Sequence, residues 1–179
     1  MNQSGQEPPE RVLFSQGAIA ARVGELASAI AAAPVKPEIA APILAGAFVF
    51  TADLLRALSA LGFDLPTDFL WLRAYGAALT PGNVTVLQAP SDAVRGKNVL
   101  LIDGVLDSGI TRARAKSLLL EKGAANVSIA VIVRKANAKR AIDADFVGFE
   151  AGQEFLYGYG MDISGAARGL PDIRASAPK

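Results

Sequence analysis

The chain of 179 residues is 51% hydrophobic and 20% charged, with 18 Lys and Arg against 17 Asp and Glu and a formal charge of +1. A domain of this length can bury roughly 70% of its unfolded surface, and the near-neutral balance excludes a nucleic-acid surface built on broad phosphate neutralisation. The sequence holds neither Cys nor His, which excludes disulfides, Cys/His zinc sites, Ser-His-Asp triads and thiol nucleophiles; chemistry falls to carboxylates, Lys, Arg, hydroxyls, backbone dipoles or an oxygen-bound metal.

In chain order, the polar stretch Met1 to Glu10 carries no secretory pattern and is expected to be a disordered tail on a cytoplasmic protein. One domain is expected over residues 11–173, followed by a second tail from Arg174 to Lys179. Ile19, Val23, Leu26 and Ile30 recur at helical spacing before Pro34, which predicts a helix with one buried stripe. Ile39 to Leu44 follows as a short buried strand. After Gly46, the residues Phe50, Leu54, Leu58 and Leu61 share a helical face that Gly62 ends. Pro42 and Gly46 interrupt this apolar stretch, so no membrane span is expected.

Asp68 to Ala74 and Val84 to Leu87 predict two strands, with Tyr75 to Asn83 between them as a mobile segment. Val99 to Ile102 has the unbroken apolar character of a central parallel strand covered on both faces. A helix over Thr111 to Lys122 and a strand over Val127 to Val133 complete a right-handed crossover unit. Two such units in a short chain predict an α/β fold, an open and mostly parallel twisted sheet flanked by helices. Its ligands should bind beyond the carboxyl ends of the strands, near residues 44–48, 74–80, 103–111 and 134–137.

The stretch Asp103-Gly-Val-Leu-Asp107-Ser-Gly-Ile-Thr111 sits where a strand hands over to a helix. A glycine-bearing loop there can aim backbone N–H groups, the positive helix end and the Ser108 and Thr111 hydroxyls at one phosphate. Two carboxylates beside it suit a ligand that also carries sugar hydroxyls or a cation. The same residues also serve as turn formers and helix caps.

Val99-Leu-Leu-Ile-Asp-Gly-Val-Leu-Asp-Ser-Gly-Ile-Thr111 resembles the phosphoribosyl-pyrophosphate signature of type I phosphoribosyltransferases. Arg22-Val with Glu25-Leu, Gly46-Ala-Phe-Val-Phe with Ala52-Asp-Leu, Tyr75-Gly, Phe146-Val-Gly-Phe-Glu150, Glu154-Phe and Gly158-Tyr-Gly-Met-Asp162 are similar to the hypoxanthine(-guanine) branch, in the same order from Val12 to Ile173. The resemblance implies a small hood formed by the terminal segments. It implies that Asp107, Ser108, Gly109, Ile110 and Thr111 hold a 5′-phosphate, with Asp107 also exchanging a proton at purine N7. It implies that Asp103 binds ribose, that Lys135 meets the purine 6-oxo group, that Phe155 stacks on the base and that the Leu156 backbone reads its edge. Ala45, Gly46 and Arg168 would face pyrophosphate, Tyr75 and Gly76 would open a closing flap, and Asp103 and Asp162 would hold Mg²⁺. The implied ligands are phosphoribosyl pyrophosphate and a purine base or nucleotide, bound by a homodimer or homotetramer.

Three places depart from the family pattern. Gly104 stands where a second acid is usual, Ala45 where a lysine is common, and the flap Tyr75-Gly-Ala-Ala-Leu-Thr-Pro-Gly is poor in Ser, Thr and Lys. The expected activity is phosphoribosyl transfer to a 6-oxopurine. Set against it are a catalytically weakened or inactive nucleotide-binding homologue acting as sensor or partner subunit, and a transferase with another acceptor base, for which Arg134 is the motive.

Overall fold

Alternating side chains on two central strands set the architecture. The structure is a computed structural model that describes residues 11–74, 84–136 and 140–176. In it, Leu100, Ile102, Ala130 and Ile132 pack to one side, while Val99, Leu101, Ile129 and Val131 pack to the other. Successive strand residues face opposite ways, so a run apolar at every position needs a layer on each face. Helices α1 (Gln16–Ala31) and α2 (Phe48–Ala60) supply one layer. Helix α3 (Ile110–Glu121) supplies the other through Ala115 and Leu119. Each fully buried Leu or Ile is worth roughly 1.5–3 kcal/mol.

The strands are β1 (Arg11–Phe14), β2 (Ile39–Leu44), β3 (Leu70–Ala74), β4 (Val84–Gln88), β5 (Asn98–Leu106), β6 (Asn126–Lys135), β7 (Phe146–Ala151), β8 (Phe155–Tyr157) and β9 (Ile173–Ser176). Six of them form the main sheet in the order β4-β3-β2-β5-β6-β7. Only β4 runs antiparallel to its neighbour; the other pairings are parallel. The connections run outward in opposite directions from the β2–β5 pair, which makes their carboxyl ends the point where strand order reverses. Ligands of open α/β sheets bind at such points.

The site opens at a defined residue. Pairing of β2 with β5 stops at Pro42 opposite Ile102, whereas β5 continues beside β6 as far as Leu106 opposite Arg134. Proline has no N–H to extend the ladder. Beyond that point Asp103 and Gly104 face the loop after β2 instead of a strand.

The terminal segments form a second, antiparallel sheet in the order β1-β9-β8, the hood expected from the resemblance. Tyr159 ties it to α2, donating its hydroxyl hydrogen bond to Asp53 at 2.6 Å. Arg22 joins α1 to β7 through the carbonyls of Gly148 and Val147, at 2.6 and 3.0 Å. One expectation is corrected: Arg174, Ala175 and Ser176 belong to β9, not to a tail, because they pair with Arg11–Val12 on one side and Phe155–Tyr157 on the other. The proposed tail Met1 to Glu10 and the flap residues Tyr75 and Gly76 lie outside the described residues. No helix among the described residues is long and apolar enough to cross a membrane.

Candidate active site

The loop from β5 into α3 is built around one glycine. Gly109 has φ +76, and a Cβ on it would lie 2.9 Å from the carbonyl oxygen of Ile142. Only glycine combines that backbone angle with that close approach. Ala141 fastens the loop from behind, donating its N–H to the Ser108 carbonyl at 2.9 Å. The first helical bond runs from Ala113 to Gly109, and no side chain caps the helix start. Among the described residues no carbonyl receives the amides of Gly109, Ile110, Thr111 or Arg112. Several oriented N–H groups at a helix N-terminus favour an anion.

Beside this loop lies a cavity of about 280 Å³ lined by Asp107, Ser108, Thr111, Lys135, Phe155 and Leu156, among others. Lys135 is the last residue of β6, and period-two alternation turns it to this side while Arg134 faces the other. Its ammonium group stands 3.0 Å from Asp107; the lysine side chain is 13% exposed and the aspartate 50%. Arg134 is held by Glu150 and Asp143, and those carboxylates raise its pKa further. It lines neither site cavity, so its expected influence on base choice has no support in the geometry.

A second cavity, of about 440 Å³, shares Val105, Thr111, Arg112, Phe155 and Leu156 with the first. Ala45, Gly46, Asp103, Asp162 and Arg168 line its remaining wall. The peptide bond between Leu44 and Ala45 is cis. The Gly46 carbonyl is wedged between two other glycines: a Cβ would lie 3.1 Å from it at Gly104 and 2.8 Å at Gly160. Asp162 pairs with Arg168 at 2.7 Å and accepts the Gly165 N–H at 2.8 Å, so it also holds its own turn. Its side chain is 37% exposed.

The fold thus brings Ala45, Gly46, Asp103, Asp107, Ser108, Thr111, Lys135, Phe155, Leu156, Asp162 and Arg168 onto two adjoining cavities. Gly109 is buried beneath the loop, and Ile110 lines neither cavity. Two cations escaped the sequence reading. Arg73 on β3 lies 5.6 Å over the Trp71 ring, and both line the larger cavity. Arg112 lines both cavities and pairs with Asp103 at 2.6 Å. Its signal was visible: a cation in the first turn of a helix opposes the helix dipole and needs a partner.

Solved structures share this fold. The hypoxanthine phosphoribosyl transferase of Trypanosoma cruzi superposes with a TM-score of 0.85 at 26% identity, over 99% of this chain and 95% of that one. A hypoxanthine phosphoribosyltransferase of Staphylococcus aureus gives 0.84 at 27% identity, covering 94% and 91%. The fold and cleft are those of a type I phosphoribosyltransferase.

The chain belongs to the phosphoribosyl transferase domain family, whose profile it matches over residues 12–164. Among curated relatives, the hypoxanthine-guanine phosphoribosyltransferase of Aquifex aeolicus is 33% identical over 91% of this chain and 92% of its own length. That of Bacillus subtilis is 31% identical, over 94% of each.

Proposed function

We propose that the chain transfers the 5-phosphoribosyl group of phosphoribosyl pyrophosphate to a 6-oxopurine, hypoxanthine or guanine, giving IMP or GMP and pyrophosphate. The observation that carries this reading is the adjacency of three features: amides at the α3 start that no carbonyl among the described residues receives, the Lys135–Asp107 pair 3.0 Å apart, and Phe155 on the wall common to both cavities. The relatives, named as enzymes and matched along almost their whole length, weigh against the inactive binder.

In this reading the 5′-phosphate takes the amides of Ser108 to Thr111 and their hydroxyls. The base lies against Phe155 and meets the backbone of Leu156. Lys135 donates to the 6-oxo oxygen; adenine would present a donor to that donor. Asp107 exchanges the proton at N7. The bond from C1′ to pyrophosphate breaks as the bond from C1′ to the purine nitrogen forms, so no protein nucleophile is needed. What the protein contributes is alignment and compensation of charge.

Ala45, Gly46 and Arg168 line the leaving-group side. Among the described residues no group of three or more potential ligands gathers to hold a metal by itself. That suits an ion carried mainly by substrate oxygens, since Mg²⁺ commonly takes only one or two carboxylates in such sites. Asp162, on the cavity wall and partly exposed, would hold it. When bound, the ion would neutralise charge on the departing pyrophosphate.

Incubation with Mg²⁺, phosphoribosyl pyrophosphate and each of hypoxanthine, guanine, xanthine and adenine tests the proposal. Pyrophosphate release with hypoxanthine or guanine is the expected result; none with either base overturns it.

A further inference from the structure

The ion pair in the floor of the site changes what Asp103 does. Arg112 and Asp103 are only 12% and 11% exposed along their side chains, and the Nη2 atom of Arg112 lies 2.6 Å from Oδ2 of Asp103. The same Nη2 donates to the Val105 carbonyl. The other Asp103 oxygen, Oδ1, accepts the Gly104 N–H at 2.7 Å. Each oxygen of Asp103 therefore already accepts one hydrogen bond, and the carboxylate is as buried as the guanidinium it pairs with. A metal ion at this carboxylate would stand against the Arg112 guanidinium, and pulling the carboxylate away would strand a buried positive charge, which is strongly unfavourable.

Arg112 itself has donors to spare. Its Nε is buried with no acceptor, and Nη1 makes no hydrogen bond among the described residues. A guanidinium with a donor left over can take an incoming anion through charge-assisted hydrogen bonds, which are the strong ones. The side chain lines both cavities, at the seam between the amides of the α3 start and the wall carrying Asp162 and Arg168. The next residue after Asp103 is Gly104, whose Cβ position is crowded by the Gly46 carbonyl, so no second acid offsets the guanidinium there.

Resting on the phosphoribosyl pyrophosphate reading, we propose that Arg112 is a built-in cation for the diphosphate-bearing sugar, and that Asp103 is a positioning residue for Arg112, not a ligand for metal. The protein then carries in its own chain part of the positive charge that this ligand requires.

Calorimetric titration of the full chain with phosphoribosyl pyrophosphate and with inorganic pyrophosphate, in EDTA and in Mg²⁺, separates the roles. Arg112→Met should weaken phosphoribosyl pyrophosphate binding at least tenfold in EDTA, with Arg112→Lys recovering part of the loss. Asp103→Asn should weaken it by a similar factor in both buffers, because its effect passes through Arg112 and not through a metal. The double variant should be no weaker than Arg112→Met alone. It also removes both buried charges, and so reports binding where a single variant fails to fold. Undiminished binding by Arg112→Met in EDTA, or by the double variant where that single one does not fold, overturns the inference. So does a loss in Asp103→Asn confined to Mg²⁺. A wild-type chain that binds neither ligand in either buffer would remove the phosphoribosyl pyrophosphate reading and this inference with it. Binding by the wild type that Arg112→Met leaves unchanged would remove the inference alone.

Discussion

The two halves of the cleft differ in how far their chemistry departs from the family pattern. The half formed by the β5–α3 loop and the end of β6 keeps every matched side chain: Asp107, Ser108, Thr111 and Lys135 share one cavity. The half formed by the loop after β2 and the start of the site on β5 has Ala45 where the resemblance implies a lysine and Gly104 where it implies an acid, and it carries Arg112. In the proposed function, grip on the phosphate would come largely from backbone amides, which depend on one glycine and a helix start and tolerate drift in side chains. Grip on sugar and diphosphate would come from charge, and charge can be redistributed among neighbours provided each buried group keeps a partner.

Substitutions on either side of this divide should separate in size and in the kinetic constant they alter. The largest effect is expected from Asp107→Asn: removal of the group proposed to exchange a proton at N7 should lower kcat by about 10²–10⁴-fold in steady-state assays. An unchanged kcat would move proton transfer elsewhere. Lys135→Met should raise KM for 6-oxopurines by about 10–100-fold, equivalent to the roughly 1.5–3 kcal/mol of a charged hydrogen bond. KM for phosphoribosyl pyrophosphate should hardly move, and equal changes in both would erase the division between the halves.

On the altered side, Gly104→Asp should not restore a missing contact. Its Cβ would press on the Gly46 carbonyl at 3.1 Å, so denaturant unfolding should show a loss of about 1–3 kcal/mol with no tighter ligand binding. A gain in affinity would return Gly104 to the role of a lost ribose acid.

The smallest effect concerns the hood. Burial, then the Asp53 carboxylate, holds the Tyr159 phenol pKa well above its ordinary value. In the unfolded chain the phenol ionises near pH 10, so the stability it contributes is complete below that pH and falls as pH rises beyond it. Tyr159→Phe should cost about 1 kcal/mol at neutral pH and flatten the alkaline loss of stability. A parallel pH profile in the variant would show that another group governs it.

The main sheet was legible because its strands are apolar at consecutive positions and its helices end at marked residues such as Gly62 and Gly123, both with positive φ. The β5–α3 loop was legible because its residues are contiguous in sequence. Strand β9 was not, since Ala175 pairs with Arg11 at the far end of the chain, and a four-residue strand owes its existence to that partner. Arg112 was overlooked for a related reason. Its partner Asp103 is nine positions earlier, and only the turn at Gly109 folds the first turn of α3 back over the strand.

A crystal structure with GMP bound tests the central claim most directly. The account predicts the 5′-phosphate on the amides of Ser108 to Thr111, the ring against Phe155 and the 6-oxo oxygen at the Lys135 ammonium. A nucleotide seated instead in the separate cavity of about 480 Å³ between α1, α2 and Tyr159, with the loop at Gly109 empty, would contradict it.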